Sequence, residues 1–174
     1  IQGFKITNGG GVNYGGGIYL KHAYGGYTSP KITNSQIVNN EATSQGGGVY
    51  LSYSTPSFIN VKISANTASE GGGVRSDGNA DTEFLNVVIS ENHAQGSGGG
   101  LYQQGHTTTL TNVEILNNTA NEGGGVYFEN VWDGNNQLPA TFTNVKIIGN
   151  KSSNGGGGIV LRGSTNLSCS KTYI

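Results

Sequence analysis

Several residue types that folded domains commonly use are scarce in this sequence. Cys169 is the only cysteine, methionine is absent, and 11% of the 174 residues are charged. A single cysteine excludes an internal disulfide framework. The net charge of −1 provides no basic surface, so we expect no nucleic-acid partner. No apolar run approaches the roughly 20 residues that a bilayer-spanning helix needs, so we expect no membrane insertion by this segment.

Glycine, in contrast, is abundant, with 31 residues. The glycines follow no three-residue period, which excludes collagen, and short bursts of Val, Ile, Leu, Phe and Tyr argue against a flexible linker. Ordered repeats fit this composition better. The sequence opens with neither an initiator methionine nor a signal peptide, so we expect a segment of a longer protein.

Asparagines recur along the chain in two series. The first series is spaced by 26 residues, with a last interval of 32, and comprises Asn8, Asn34, Asn60, Asn86, Asn112 and Asn144. The second series lies six residues behind the first and comprises Asn40, Asn66, Asn92, Asn118 and Asn150. The longer interval predicts an enlarged loop at 129–140, which contains Trp132, and the first copy predicts a compressed turn around Asn8.

Apolar residues and glycine runs share the same period. A valine follows most members of the first series and an isoleucine comes two residues later, as in Val87 and Ile89, which indicates a strand. A further apolar row comprises Phe58, Phe84, Leu110 and Phe142, and each run of three or four glycines leads into another strand. The hexapeptide periods that are typical of left-handed β-helices are absent. We therefore predict an all-β fold, a right-handed parallel β-helix of about six coils of roughly 26 residues, forming a single unit over 1–174.

Both asparagine series and the glycine runs have a structural interpretation. Stacked asparagines can bond from coil to coil and tolerate the left-handed backbone of a tight corner. We expect Asn86→Ala to leave buried amide groups unpaired at a cost of about 1–3 kcal/mol. The glycine runs lead into strands rather than helices and lack a periodic Asp, so neither phosphate binding nor stacked calcium sites are favoured.

The combination Asn-Val-x-Ile-x-x-Asn-x-Ala followed by Gly-Gly-Gly-Val-Tyr, at 112–127, resembles repeats of bacterial surface β-helix proteins. Gly123–Val126 and Ile115–Asn118 are similar to the paired tetrapeptides of the chlamydial polymorphic outer-membrane protein repeat, with Gly in place of Ala and Ile in place of Phe. The resemblance implies an Asn- and Gly-rich β-helix that is extracellular or at the bacterial cell surface. It also implies a role as a passenger or stalk in adhesion.

The second residue after each glycine run should point outward and form an exposed row. This row comprises Tyr19, Tyr50, Arg75, Tyr102, Tyr127 and Val160. Its aromatic rings could stack on sugars, or the row could stabilise itself through a cation–π arrangement of Arg75 between Tyr50 and Tyr102. Together with Trp132, the row's tyrosines and Arg75 are the candidate surface for a ligand or partner.

Three functions remain open from the sequence. A non-catalytic structural or adhesive segment is favoured, with glycans or cell-surface proteins as partners. A carbohydrate-active enzyme or its binding relative could bring together Glu70, Asp77, Glu122 and Glu129 near Arg75, although no catalytic motif ties them together. A third function is a filament subunit that associates end to end. His22, His93 and His106 show no recurring metal spacing, so we expect no metal and no cofactor.

Overall fold

The computed structural model describes residues 1–22, 29–78, 81–105, 107–129, 139–163 and 165–174. The strands lie on four faces of the coil, and equivalent strands of neighbouring coils pair in parallel. The exception is the pair Ala42–Gln45 and Thr67–Ala68, which only isolated parallel bridges join. Alternating apolar residues place one side of each strand inside the coil, while residues in the left-handed conformation, most of them glycine or asparagine, form corners. The architecture is the right-handed parallel β-helix that the repeat predicts.

The first two faces meet at the corner formed by the first asparagine series. The strands of the first face are Lys31–Thr33, Ser57–Ile59, Thr82–Leu85, the first parts of Thr108–Leu116 and Pro139–Ile148, and Asn166–Ser170. The strands of the second face are Lys5–Thr7, Gln36–Val38, Lys62–Ser64, Val88–Ser90 and the remaining parts of the same two long strands.

The third and fourth faces lie on either side of the glycine runs. The strands of the third face are Val12–Tyr14, Ala42–Gln45, Thr67–Ala68, His93–Ala94, Thr119–Glu122 and Lys151–Gly155. The strands of the fourth face are Ile18–Lys21, Val49–Ser52, Val74–Asp77, Leu101–Gln104, Val126–Glu129 and Ile159–Arg162. Within the described ranges, no helix is long and apolar enough to cross a membrane.

The core is a set of apolar columns that run along the helix axis. The predicted row Phe58, Phe84, Leu110 and Phe142 is fully buried, and the rings of Phe58 and Phe84 stack with centroids 5.1 Å apart. The isoleucine column is also buried, with Ile63, Ile89 and Ile115 in direct register. Burial of this continuous surface is the main stabilising term, because a single coil could not cover its own apolar side chains.

One inward column differs from the predicted apolar filling. Ser76 and Gln103 follow Leu51 in register on the fourth face, and both are completely buried before Phe128 restores the apolar pattern. The hydroxyl of Ser76 lies 3.5 Å from that of Thr82, a second buried polar residue. The interior of the middle coils is therefore partly polar.

The first coil is longer than the spacing of asparagines suggests. Ile6 pairs with Ile37, and the amide of Asn8 donates to the carbonyl of Asn39. The offset between these coils is 31 residues, as for Gly9, whose amide donates to Asn40. Asn8 therefore does not belong to the first series, and Gly3, with φ of 71°, takes the left-handed corner opposite Asn34. The predicted compressed turn was wrong, because an equal count along the chain does not establish equal position in a coil.

The two asparagine series form ladders with different environments. The outer ladder, Asn34, Asn60, Asn86, Asn112 and Asn144, is exposed and left-handed, and each side-chain amide after that of Asn34 donates to the preceding member over 2.8–3.1 Å. The inner ladder, Asn40, Asn66, Asn92, Asn118 and Asn150, is buried up to Asn118, and in each coil the preceding residue adopts the left-handed backbone. Asn86 is thus the wrong residue for a buried-amide prediction, because its side chain faces solvent.

The glycine runs bring backbones of adjacent coils together, and a matched pair of substitutions tests this. A Cβ at Gly47 would collide with the carbonyl oxygens of Thr67 and Gly72 in the next coil, whereas a Cβ at Gly10 would meet nothing within 4 Å. We expect Gly47→Ala to lower the free energy of unfolding by roughly 1–3 kcal/mol, because both obstacles are backbone atoms. Gly10→Ala should change it by less than about 1 kcal/mol. Equal denaturant midpoints for the two variants would contradict the close packing.

Candidate functional site

The predicted outward row stacks in register along the fourth face. Tyr19 pairs with Tyr50, Tyr50 with Arg75, Arg75 with Tyr102, and Tyr102 with Tyr127. Tyr19 is 48% exposed, but Arg75, Tyr102 and Tyr127 are only 4%, 5% and 3% exposed. The prediction of an exposed row was therefore wrong for these three residues. Neighbouring broad side chains contact one another at a strand spacing of about 4.8 Å, with tilted tyrosine rings and Arg75 over the face of Tyr102, so they exclude water from one another.

Arg75 is the centre of a buried ionic cluster. Its guanidinium carbon lies 3.5 Å from the centroid of the Tyr102 ring, which confirms the cation–π contact on that side. Its Nε donates to Asp77 over 2.6 Å, Nη1 to Glu70 over 2.9 Å, and Nη2 to the Gln104 amide oxygen over 3.0 Å. The fork of the guanidinium is thus shared among three acceptors and one aromatic face.

Two tyrosines extend this cluster through their hydroxyl groups. The hydroxyl of Tyr50 donates to Asp77 over 2.9 Å, and that of Tyr102 donates to Glu129. Burial, together with these carboxylate contacts, raises the pKa of Tyr50 and of Tyr102 far above the usual value, and nearby Arg75 offsets only part of the rise. Both phenols therefore stay protonated and act as hydrogen-bond donors.

The exposed part of the row is a tyrosine patch at its N-terminal end, formed by Tyr14, Tyr19 and Tyr50. The ring centroids lie 5.0–6.2 Å apart, and Tyr14 and Tyr19 are each more than two-fifths exposed. Tyr14 lies outside the predicted row, on the third face directly before the glycine run. The tight glycine corner brings this position beside the fourth-face row. The same corner in another coil brings Glu70, which also precedes a glycine run, beside Arg75. Position relative to the glycines is the signal that could have identified Tyr14.

The four candidate acids do not share one open site. Glu70 and Asp77 contact Arg75, Glu129 accepts from Tyr102, and Glu122 pairs with Arg162 over 2.9 Å. Each carboxylate thus has a partner within the protein. Across the described ranges, no three His, Cys, Asp or Glu side chains lie close enough together to hold a metal ion.

A shallow groove runs beside the outer ladder. One section, of about 300 Å³, is lined by Asn86, Asn112 and Asn144 together with Glu114 and Lys146. The adjoining section, of about 350 Å³, is lined by Asn34, Asn60 and Asn86 together with Gln36 and Lys62. Asn86 and Val88 line both sections, so the groove is continuous along the ladder. Sequence reasoning assigned these asparagines to folding alone and did not identify this surface.

Two of the sequence predictions fall on other parts of the chain. Trp132 and residues 130–138 of the enlarged loop lie outside the described residues, as does His106. The ends of this loop are placed, with Glu129 closing a fourth-face strand and Ala140 buried in the first face.

Comparison with known proteins agrees with this geometry. The family model described as a right-handed β-helix region matches residues 16–174. No curated protein and no solved structure matches the chain. The matched range contains both asparagine ladders, the whole outward row and the ionic cluster around Arg75. The chain therefore belongs to the right-handed β-helix family.

Proposed function

We propose that this chain is a non-catalytic structural and adhesive segment of a secreted or cell-surface bacterial protein. The observation that carries the proposal is the closed ionic cluster around Arg75. Asp77 and Glu70 bind the guanidinium, and the two tyrosine hydroxyls donate hydrogen bonds to carboxylates. General acid–base catalysis requires groups that can reach a substrate, and these groups face one another instead. The cluster holds coils together.

The adhesive surface in this proposal is the tyrosine patch. Partly exposed tyrosine rings provide a large contact area at a small cost in side-chain entropy, and their hydroxyls can bond to a polar partner. Polar side chains border the patch, including Gln45, which bonds to Glu70, and Thr43, which bonds to Asn13. A glycan or a cell-surface protein fits such a mixed surface.

The proposal is tested by measuring how well the double variant Tyr14→Ser, Tyr19→Ser attaches to immobilised mucin and to cultured epithelial cells. We expect attachment to fall about tenfold, equivalent to about 1.4 kcal/mol, while the thermal midpoint changes little because both rings are half-exposed. Tyr173→Ser is the matched control, since Tyr173 is 71% exposed and far along the chain from the patch. Undiminished attachment of the double variant would count against the adhesive role.

The β-helix fold is shared by structural proteins and carbohydrate-active enzymes, so product release is the second measurement. The purified chain, incubated with polygalacturonate and calcium, should release neither unsaturated products nor reducing ends. Steady release that is lost in Asp77→Asn would overturn the non-catalytic proposal in favour of a polysaccharide lyase or hydrolase.

A further inference from the structure

We infer that the groove beside the outer ladder is a binding site for a linear, uncharged, hydroxyl-rich polysaccharide. This inference does not depend on the tyrosine patch, which lies at a different corner of the coil. The ladder forms the corner between the first and second faces, whereas the patch lies at the glycine corner between the third and fourth.

The ladder amides have unused hydrogen-bonding capacity. Each interior member donates one amide hydrogen to the preceding asparagine and accepts one from the following asparagine. A primary amide has two hydrogens and two acceptor lone pairs, so one of each remains for a ligand. All five members are exposed, so this capacity faces solvent. The result is a line of alternating donors and acceptors along the groove.

The spacing of this line selects among extended polymers. Parallel strands place equivalent asparagines about 4.8 Å apart, so five members span roughly 19 Å. An extended peptide presents side chains on one side roughly every 6.6–6.8 Å, and it therefore loses register with the asparagines within two steps. A β-1,4-linked pyranose chain advances by nearly the strand spacing for each sugar. Alternate sugars are turned over, and both edges of the chain carry hydroxyls that donate and accept. Successive sugars could thus meet successive asparagines.

The charges in the groove favour a neutral ligand over an ionic one. Lys146 donates to Glu114 over 2.8 Å, and this contact raises the pKa of the Lys146 amine. Lys62 has no ion-pair partner among residues that the structure describes, and it is the single uncompensated charge of the groove lining. A single uncompensated lysine is too little charge to bind a polyanion, which is recognised through several cationic contacts. A single carboxylate that is already paired is likewise too little to bind a cation. Val88 adds an apolar surface against which a sugar ring can pack.

Affinity electrophoresis in gels containing hydroxyethylcellulose tests the inference. The wild-type chain should be retarded, and the triple variant Asn60→Gly, Asn86→Gly, Asn112→Gly should bind at least about tenfold more weakly. Glycine tolerates the left-handed backbone at these positions, and the substitution removes the side chain with its amide. The matched control is Asn117→Gly, which alters an exposed, left-handed asparagine outside the groove and should leave retardation unchanged.

Four results would overturn the inference. The first is absence of retardation for the wild type, and the second is equal retardation of the triple variant at an unchanged unfolding midpoint. The third is retardation by polygalacturonate that is lost in Lys62→Gln but kept in the triple variant. This pattern would indicate a simple charge contact. The fourth is a ladder-dependent dimer in sedimentation, because it would assign the groove to a second copy of the chain. Retardation of the variant Tyr14→Ser, Tyr19→Ser should equal that of the wild type, which separates this site from the tyrosine patch.

Discussion

Arg75→Met should lower the free energy of unfolding by about 2–4 kcal/mol. The substitution leaves Asp77 and Glu70 facing each other with no cation between them, and it removes the guanidinium from the face of Tyr102. A fully buried pair broken in this way costs more, but Glu70 is partly exposed and water recovers some of the loss. Chemical denaturation of the purified chain, monitored by tyrosine fluorescence and circular dichroism, measures the change.

Arg162→Met is the matched control for Arg75→Met. Arg162 also pairs with a glutamate, and its guanidinium lies 5.8 Å from the centroid of the Tyr127 ring, but its side chain is largely exposed. We expect a change of less than about 1 kcal/mol. Arg75→Lys should lie between the two, because it keeps the charge but loses the planar fork. Equal destabilisation by the two methionine variants would show that burial of the Arg75 cluster contributes nothing.

The coil architecture could be predicted from the sequence because every coil repeats the same physical requirement. Ile63, Ile89 and Ile115 must point inward in each turn, and a left-handed residue such as Asn86 must form each corner. Repetition multiplies a weak local signal until alternatives are excluded. The prediction was wrong in the first coil, where backbone pairing sets the register and the position of Asn8 along the chain does not.

The burial of the outward row could not be predicted from strand alternation alone. Alternation gives the direction in which a side chain leaves the strand, but its exposure depends on the size of its neighbours. Tyr102 points away from the core and is nevertheless covered by Arg75 and Tyr127, which stack on either side of it. The contact of Tyr14 with Tyr19 has a similar origin, since it depends on how sharply the glycine corner turns.

The different roles of the two asparagine ladders also depend on three-dimensional context. Both series have the same period and the same side chain, so the sequence presents them as equivalent. The outer ladder occupies the left-handed corner residue itself, whose side chain points to solvent. The inner ladder follows the left-handed residue, and its side chains turn inward to bond backbone groups of neighbouring coils.

Asn92→Ala should be as destabilising as Arg75→Met, by about 2–4 kcal/mol. The Asn92 side chain is buried, donates to the carbonyl of Ile63 and to Asn118, and accepts from both the backbone and the side-chain amide of Asn66. Alanine removes all four contacts and leaves their partners in a dry interior. One unsatisfied buried group costs about 1–3 kcal/mol, and partial rearrangement of the neighbours limits the sum.

The most direct test of the account compares Asn92→Ala with Asn86→Gly by denaturant unfolding under identical conditions. The inner ladder is predicted to hold the coils together and the outer ladder to be free for contact with a ligand. Asn92→Ala should therefore lose about 2–4 kcal/mol, and Asn86→Gly less than about 1 kcal/mol, since glycine tolerates the left-handed corner. Equal losses, or a larger loss for Asn86→Gly, would contradict the division between a structural inner ladder and an available outer one.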